Sequence, residues 1–68
     1  MITTEQQLKT TTERIAWFQA QLVHLRRTEP NPVNFRAAAS GFLTEIDRMQ
    51  LEVREYLSTH PTELAKAA

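Results

Sequence analysis

Sixty-eight residues without a cysteine make at most one small domain, which neither disulfides nor a thiolate-bound metal can stabilise. Eight basic and eight acidic side chains balance each other, whereas a general nucleic-acid binder usually carries net positive charge. No apolar run approaches the ~18 residues of a membrane span, and residues 1–7 lack the features of a signal peptide. The composition therefore favours a soluble, cytoplasmic protein.

The first predicted element is a helix over residues 4 to about 28. Thr3 and Thr4 are each followed three residues later by a glutamine, which is the spacing of a capping box. Downstream, apolar positions alternate in steps of three and four, with Thr11 as the one polar member. This first heptad seam consists of Leu8, Thr11, Ile15, Phe18, Leu22 and Leu25.

A turn over residues 29–31 and a second helix from 32 to about 58 follow. Glu29 and Asn31 each precede a proline, which disfavours helical backbone at both positions. Asn31 is a good N-cap, and Pro32 suits the first helical position. The second heptad seam is the strongest pattern in the chain and consists of Phe35, Ala39, Phe42, Ile46, Met49, Val53 and Tyr56.

The short turn predicts an antiparallel two-helix hairpin, in which facing positions have residue numbers that sum to 60 or 61. Leu43 and Leu57 lie beside the second seam and widen its apolar stripe, as in four-helix bundles. One hairpin alone buries little apolar surface, so we expect a homodimer that forms such a bundle. His60-Pro61 ends the second helix, and we expect residues 59–68 to form a short frayed or helical tail.

Residue patterns for catalysis or cofactor binding are missing from the sequence. Its single glycine, Gly41, lies inside a predicted helix, so there is no glycine-rich phosphate loop. His24 and His60 fall near opposite ends of the hairpin, and neither has the Glu-x-x-His spacing of di-iron bundles. We interpret them as an exposed helix residue and a helix-terminal capping residue. The sequence thus predicts a non-enzymatic protein without cofactor or metal.

The back of the first helix is unusually apolar and gives the main candidate for a protein interface. Trp17, Ala20 and Val23 lie away from the seam, where a hairpin helix normally carries charges. On the second helix, Ala37 and Gly41 are one turn apart and would allow close approach of another helix. These five residues could join two copies of the chain, or they could bind a different protein. The corresponding function is that of an adaptor, a regulator or an antitoxin-like partner.

An alternative function rests on a basic corner formed by Arg26, Arg27 and Arg36 around the predicted turn. In a dimer such corners could contact phosphates, as in a small RNA- or DNA-binding regulator. The shape of that dimer would resemble the plasmid repressor-of-primer proteins, small antiparallel helical hairpins that dimerise and bind paired RNA loops. The resemblance is one of architecture and covers the two helices. The arginines also complement the helix dipole and promote solubility.

Overall fold

A computed structural model describes residues 1–63 and has two long helices packed against each other in a hairpin. Helix α1 spans Glu5–Thr28 and helix α2 spans Pro32–Ser58, close to the predicted boundaries. The hairpin is elongated, with extents of 50 × 17 × 15 Å. The all-α hairpin is confirmed, whereas its assembly into a four-helix bundle stays a prediction. Neither helix within residues 1–63 is long and apolar enough to cross a membrane.

The start of α1 is fixed by hydrogen bonds between the predicted threonines and Gln7. They differ from a standard capping box in that the glutamine side chain binds the residue before the N-cap. The Thr4 hydroxyl accepts a hydrogen bond from the Gln7 backbone N–H at 3.1 Å, so Thr4 is the N-cap. In return, Gln7 Oε1 accepts from the backbone N–H of Thr3 at 2.7 Å, one residue before the cap. Backbone donors that helix formation would leave unpaired are thereby satisfied on both sides of the cap.

The turn between the helices is held by hydrogen bonds that cap both helix ends, from a side chain at the start of α2 and from the backbone at the end of α1. Asn31 Oδ1 accepts from the backbone N–H groups of Val33 and Asn34 at 2.9 and 3.2 Å. The backbone N–H of Glu29 donates to the Leu25 carbonyl at 3.0 Å, and its carboxylate accepts from the Asn31 N–H at 3.1 Å. Asn31 is therefore the predicted N-cap, and the polar groups of the turn are largely paired within the turn itself.

The two heptad seams form the contact between the helices. Ala39, Ile46 and Met49 are buried, and the remaining seam positions of both helices are half-buried. The rings of Phe18 and Phe42 meet edge to face, with centroids 5.7 Å apart, which agrees with the predicted antiparallel register.

Ile2 is a core residue that the sequence prediction missed. It lies outside both helices, yet it is only 4% exposed. Together with Glu52, Tyr56 and Thr59 it lines a small crevice at the end of the hairpin opposite the turn. The available signal was an apolar residue just before a helix cap, where such residues often pack back onto the helix.

The chain beyond α2 begins a new turn at His60. Its Nδ1 accepts from the backbone N–H of Thr62 at 3.2 Å, and its carbonyl accepts from the N–H of Glu63 at 2.9 Å. The predicted role of His60 as a terminal capping residue is confirmed. Residues 64–68, the rest of the predicted frayed or helical tail, lie outside the described residues.

Candidate interaction surfaces

Outside the seam, the hairpin has two long edges on which side chains of both helices lie next to each other. One edge is identified by a groove of about 370 Å³ that Gln7 and Arg14 of α1 line together with Arg48 and Glu52 of α2. Arg14 also lies close enough to Glu45 to help lower the pKa of its carboxyl group. We call this side the Trp17 edge, since Trp17 follows Arg14 by one helical turn.

The half of the Trp17 edge far from the turn is charged. Arg48 bridges two carboxylates of its own helix, with Nη2 2.7 Å from Glu45 and Nη1 3.0 Å from Glu52. The hydrogen bond from Arg48, followed by its positive charge, lowers the pKa of Glu45, and the same pairing raises the pKa of Arg48. These groups are largely solvated, so the pairs organise charge on the surface and contribute little to stability.

The half of the Trp17 edge nearer the turn is uncharged and contains the indole. Trp17 is 57% exposed, although one side of it packs against Phe18 with ring centroids 5.2 Å apart and planes at 87°. Phe18 in turn packs against Phe42, so three aromatic rings run from the surface into the seam. A large exposed aromatic side chain on a rigid base is typical of an interface anchor.

On α2, the Trp17 edge carries small side chains between Glu45 and the inter-helix turn. Ala37, Ala38 and Gly41, which we call the small-residue patch, are all exposed. A Cβ atom added at Gly41 would meet nothing within 4 Å, so no group of the hairpin itself requires glycine there. The predicted close approach at Gly41 therefore does not occur within one chain, and a contact with a second chain stays a prediction.

The remaining candidate interface residues point away from the Trp17 edge. By the 3.6-residue period, Val23 lies on the opposite edge and Ala20 on the back of α1. Val23 and Leu43 of α2 are both 48% exposed and share this opposite edge, which we call the Leu43 edge. The structure thus separates Val23 and Ala20 from Trp17 and Gly41, so the five predicted residues do not form one surface.

The three arginines of the predicted basic corner lie near the inter-helix turn, two at the end of α1 and one near the start of α2. Arg26, Arg27 and Arg36 are exposed, and within residues 1–63 none of them takes part in an ion pair. Val23, Arg26 and Arg27 line a shallow open depression of about 270 Å³. The three guanidinium groups are therefore accessible to anions.

His24 and His60 lie near opposite ends of the hairpin. His24 is exposed on α1, and His60 contributes its ring nitrogen to the turn after α2. Within the described residues no group of three or more histidine or acidic side chains could hold a metal ion. The groove on the Trp17 edge is lined chiefly by hydroxyl, amide and charged side chains. Among residues 1–63, its lining includes two threonines but no histidine that could act as a base toward them.

Comparison with protein-family models, with curated proteins and with solved structures finds no match for this chain.

Proposed function

We propose that this chain is a non-enzymatic interaction module of the cytoplasm. Two hairpins associate into a homodimeric four-helix bundle, and the dimer binds another protein as an adaptor, a regulator or an antitoxin-like partner. The observation that supports this function best is the amount of apolar surface that a single hairpin leaves in water.

The total accessible area, polar and apolar together, is large for a chain of this mass. The chain exposes 5336 Å², whereas about 4,400 Å² is expected of a compact monomer of 7.9 kDa. The difference of about 900 Å² is close to the ~800 Å² that each partner buries in a standard protein interface. Within residues 1–63, only Ile2, Ala39, Ile46 and Met49 are buried apolar residues. Association is the common way in which so thin a core is completed.

The distribution of the exposed apolar groups supports a second partner. Trp17 lies on one edge of the hairpin, and Val23 and Leu43 lie on the other. A two-fold contact between copies covers the same edge of each hairpin, because both copies use an identical surface. One apolar edge per copy then stays exposed, and exposed apolar patches commonly mark binding sites for other proteins.

Light scattering across micromolar concentrations tests the first part of the proposal, with a stable dimer as the expected result. A cooperatively folded monomer at every concentration would refute it.

For the second part, Trp17→Ala and Leu43→Ala each remove a large exposed apolar side chain from one edge. We expect one variant to lose dimerisation and the other to keep the dimer but lose capture of a partner from native cell extract. If both variants still capture the partner protein as well as wild type does, these edges do not bind it.

A second candidate function is supported by the basic corner, since Arg26, Arg27 and Arg36 are exposed and unpaired within the described residues. For this function, a labelled RNA hairpin should bind with an affinity that falls steeply as salt is raised. Replacing the three arginines by glutamine should abolish that binding. Arg54→Gln, an exposed control far from the turn, should preserve it. Equal loss in both variants would indicate a general charge effect and contradict a site at the corner.

A further inference from the structure

We propose that the second copy docks on the Trp17 edge, so that the indole of each copy enters the small-residue patch of the other. This inference rests on the proposed homodimer and assigns the surface through which it forms. The external partner is then left with the Leu43 edge.

The first argument is that the indole and the patch lie at the same level of one edge. Arg14 lines the same groove as Arg48, the ion-pair partner of Glu45, and the contact between Phe18 and Phe42 sets Arg14 and Glu45 at about the same level. Trp17 follows Arg14 by three residues and Gly41 precedes Glu45 by four, so each lies one helical turn nearer to the inter-helix turn. The exposed indole on α1 and the exposed small residues of α2 therefore lie on the same side of the hairpin.

The second argument is that this arrangement is self-complementary. A two-fold axis along the length of the hairpin places α1 of one copy against α2 of the other, with residues at the same level opposed. Trp17 of each copy then meets Gly41 of the second copy, and the contact closes at two chains. The same operation brings Arg14 of one copy toward Glu45 of the other, so charges of opposite sign face each other.

The third argument is that glycine at position 41 lacks a reason within one hairpin. Glycine is among the least favourable residues inside a helix, and a Cβ atom at this site would meet open space. With alanines at positions 37 and 38, the exposed backbone of α2 forms a shallow recess of the kind that a flat ring can approach closely. Any larger side chain at position 41 would fill the space that the indole needs.

Four variants of the full chain test this contact. Trp17→Ala removes the indole and Gly41→Leu fills the recess, while Leu43→Ala and Ser40→Leu make similar changes on the other side of the hairpin. We expect Trp17→Ala and Gly41→Leu to raise the dimer dissociation constant at least about 30-fold. Both control variants should stay within about threefold. The dissociated Gly41→Leu hairpin should melt at a higher temperature than dissociated wild type, because leucine favours the helix and its Cβ atom would meet nothing there.

The fluorescence of Trp17, the only tryptophan, gives an independent readout. Its emission should be blue-shifted in the dimer and should move to the red on dilution, in parallel with dissociation. A dimer that survives both Trp17→Ala and Gly41→Leu but dissociates in Leu43→Ala would overturn this inference and leave the proposed homodimer intact. A wild-type monomer at all concentrations would overturn both. Growth beyond the dimer with rising concentration would contradict a contact that closes at two chains.

Discussion

Met49 gives the sharpest test of how this hairpin is held together. It is 1% exposed and is the largest fully buried side chain within residues 1–63. It lies in the middle of the second seam, at the level where Thr11 supplies little apolar surface. The flexible thioether therefore fills space that a branched side chain from α1 would otherwise occupy.

The expected cost of Met49→Ala follows from two contributions. Losing the three outer heavy atoms from an apolar site costs about 2 kcal/mol at ~0.8 kcal/mol per methylene-sized group. A residual cavity adds about 1 kcal/mol at ~24 cal/mol per Å³, if the helices close part of the space. A chain of 68 residues is typically stable by only about 3–10 kcal/mol, so a loss of about 3 kcal/mol should remove a large share of its stability.

Urea denaturation followed by helical circular dichroism measures this loss. Wild type and variant must be compared at one protein concentration, because the proposed dimerisation would be coupled to folding. Leu51→Ala is the matched control, since Leu51 is an exposed side chain on the same helix and its truncation should change the free energy of unfolding by at most about 0.5 kcal/mol. Equal effects of the two substitutions would show that the seam does not carry the packing energy assigned to it.

Three further predictions concern the ends and the charged surface of the helices. Asn31→Ala should destabilise the chain by about 1 kcal/mol in thermal or chemical denaturation, because two N–H groups lose their acceptor, whereas Asn34→Ala should have little effect. Ile2→Ala should cost about 1–2 kcal/mol in chemical denaturation although it lies outside both helices; no effect would contradict its place in the core. The Glu45 carboxyl, followed by NMR, should titrate below its ordinary pKa and move back toward it in Arg48→Ala. Because the pKa of Glu45 is lower in the folded state, its pairing with Arg48 contributes to the free energy of unfolding at pH values above the unfolded-state pKa. That contribution is lost as the pH falls through the folded-state pKa. An unchanged pKa in the variant would contradict the observed pairing.

The sequence predicted the helices and their pairing because those features depend on local chemistry and a simple period. Thr4 and Asn31 mark the helix starts through hydrogen bonds to residues only two or three positions away. The apolar period then specifies which faces meet, as the contact between Phe18 and Phe42 shows. Local patterns of this kind leave few alternatives for a chain with one short turn.

The sequence was less informative where position depends on the whole hairpin. Ile2 belongs to no periodic segment, so its burial follows only from the path of the chain before α1. Trp17, Val23 and Gly41 were grouped by their apolar or small character, yet Val23 lies on the edge opposite the other two. Assigning Val23 and Gly41 to different edges requires knowing which faces of the two helices become neighbours after the chain folds back.

The three residues between the helices also set the order of events during folding. The first contacts between α1 and α2, near Leu25 and Phe35, close only a short loop, and closing a loop of ten residues takes about 10–100 ns. Pairing can then extend outward along both helices until Ile2 reaches α2, so each new contact adds little loop-closure entropy. Chains dominated by such neighbouring contacts fold in microseconds to milliseconds. In the proposed homodimer, the encounter of two copies would instead slow with dilution, so a newly synthesised hairpin would present both of its edges before it meets a second copy.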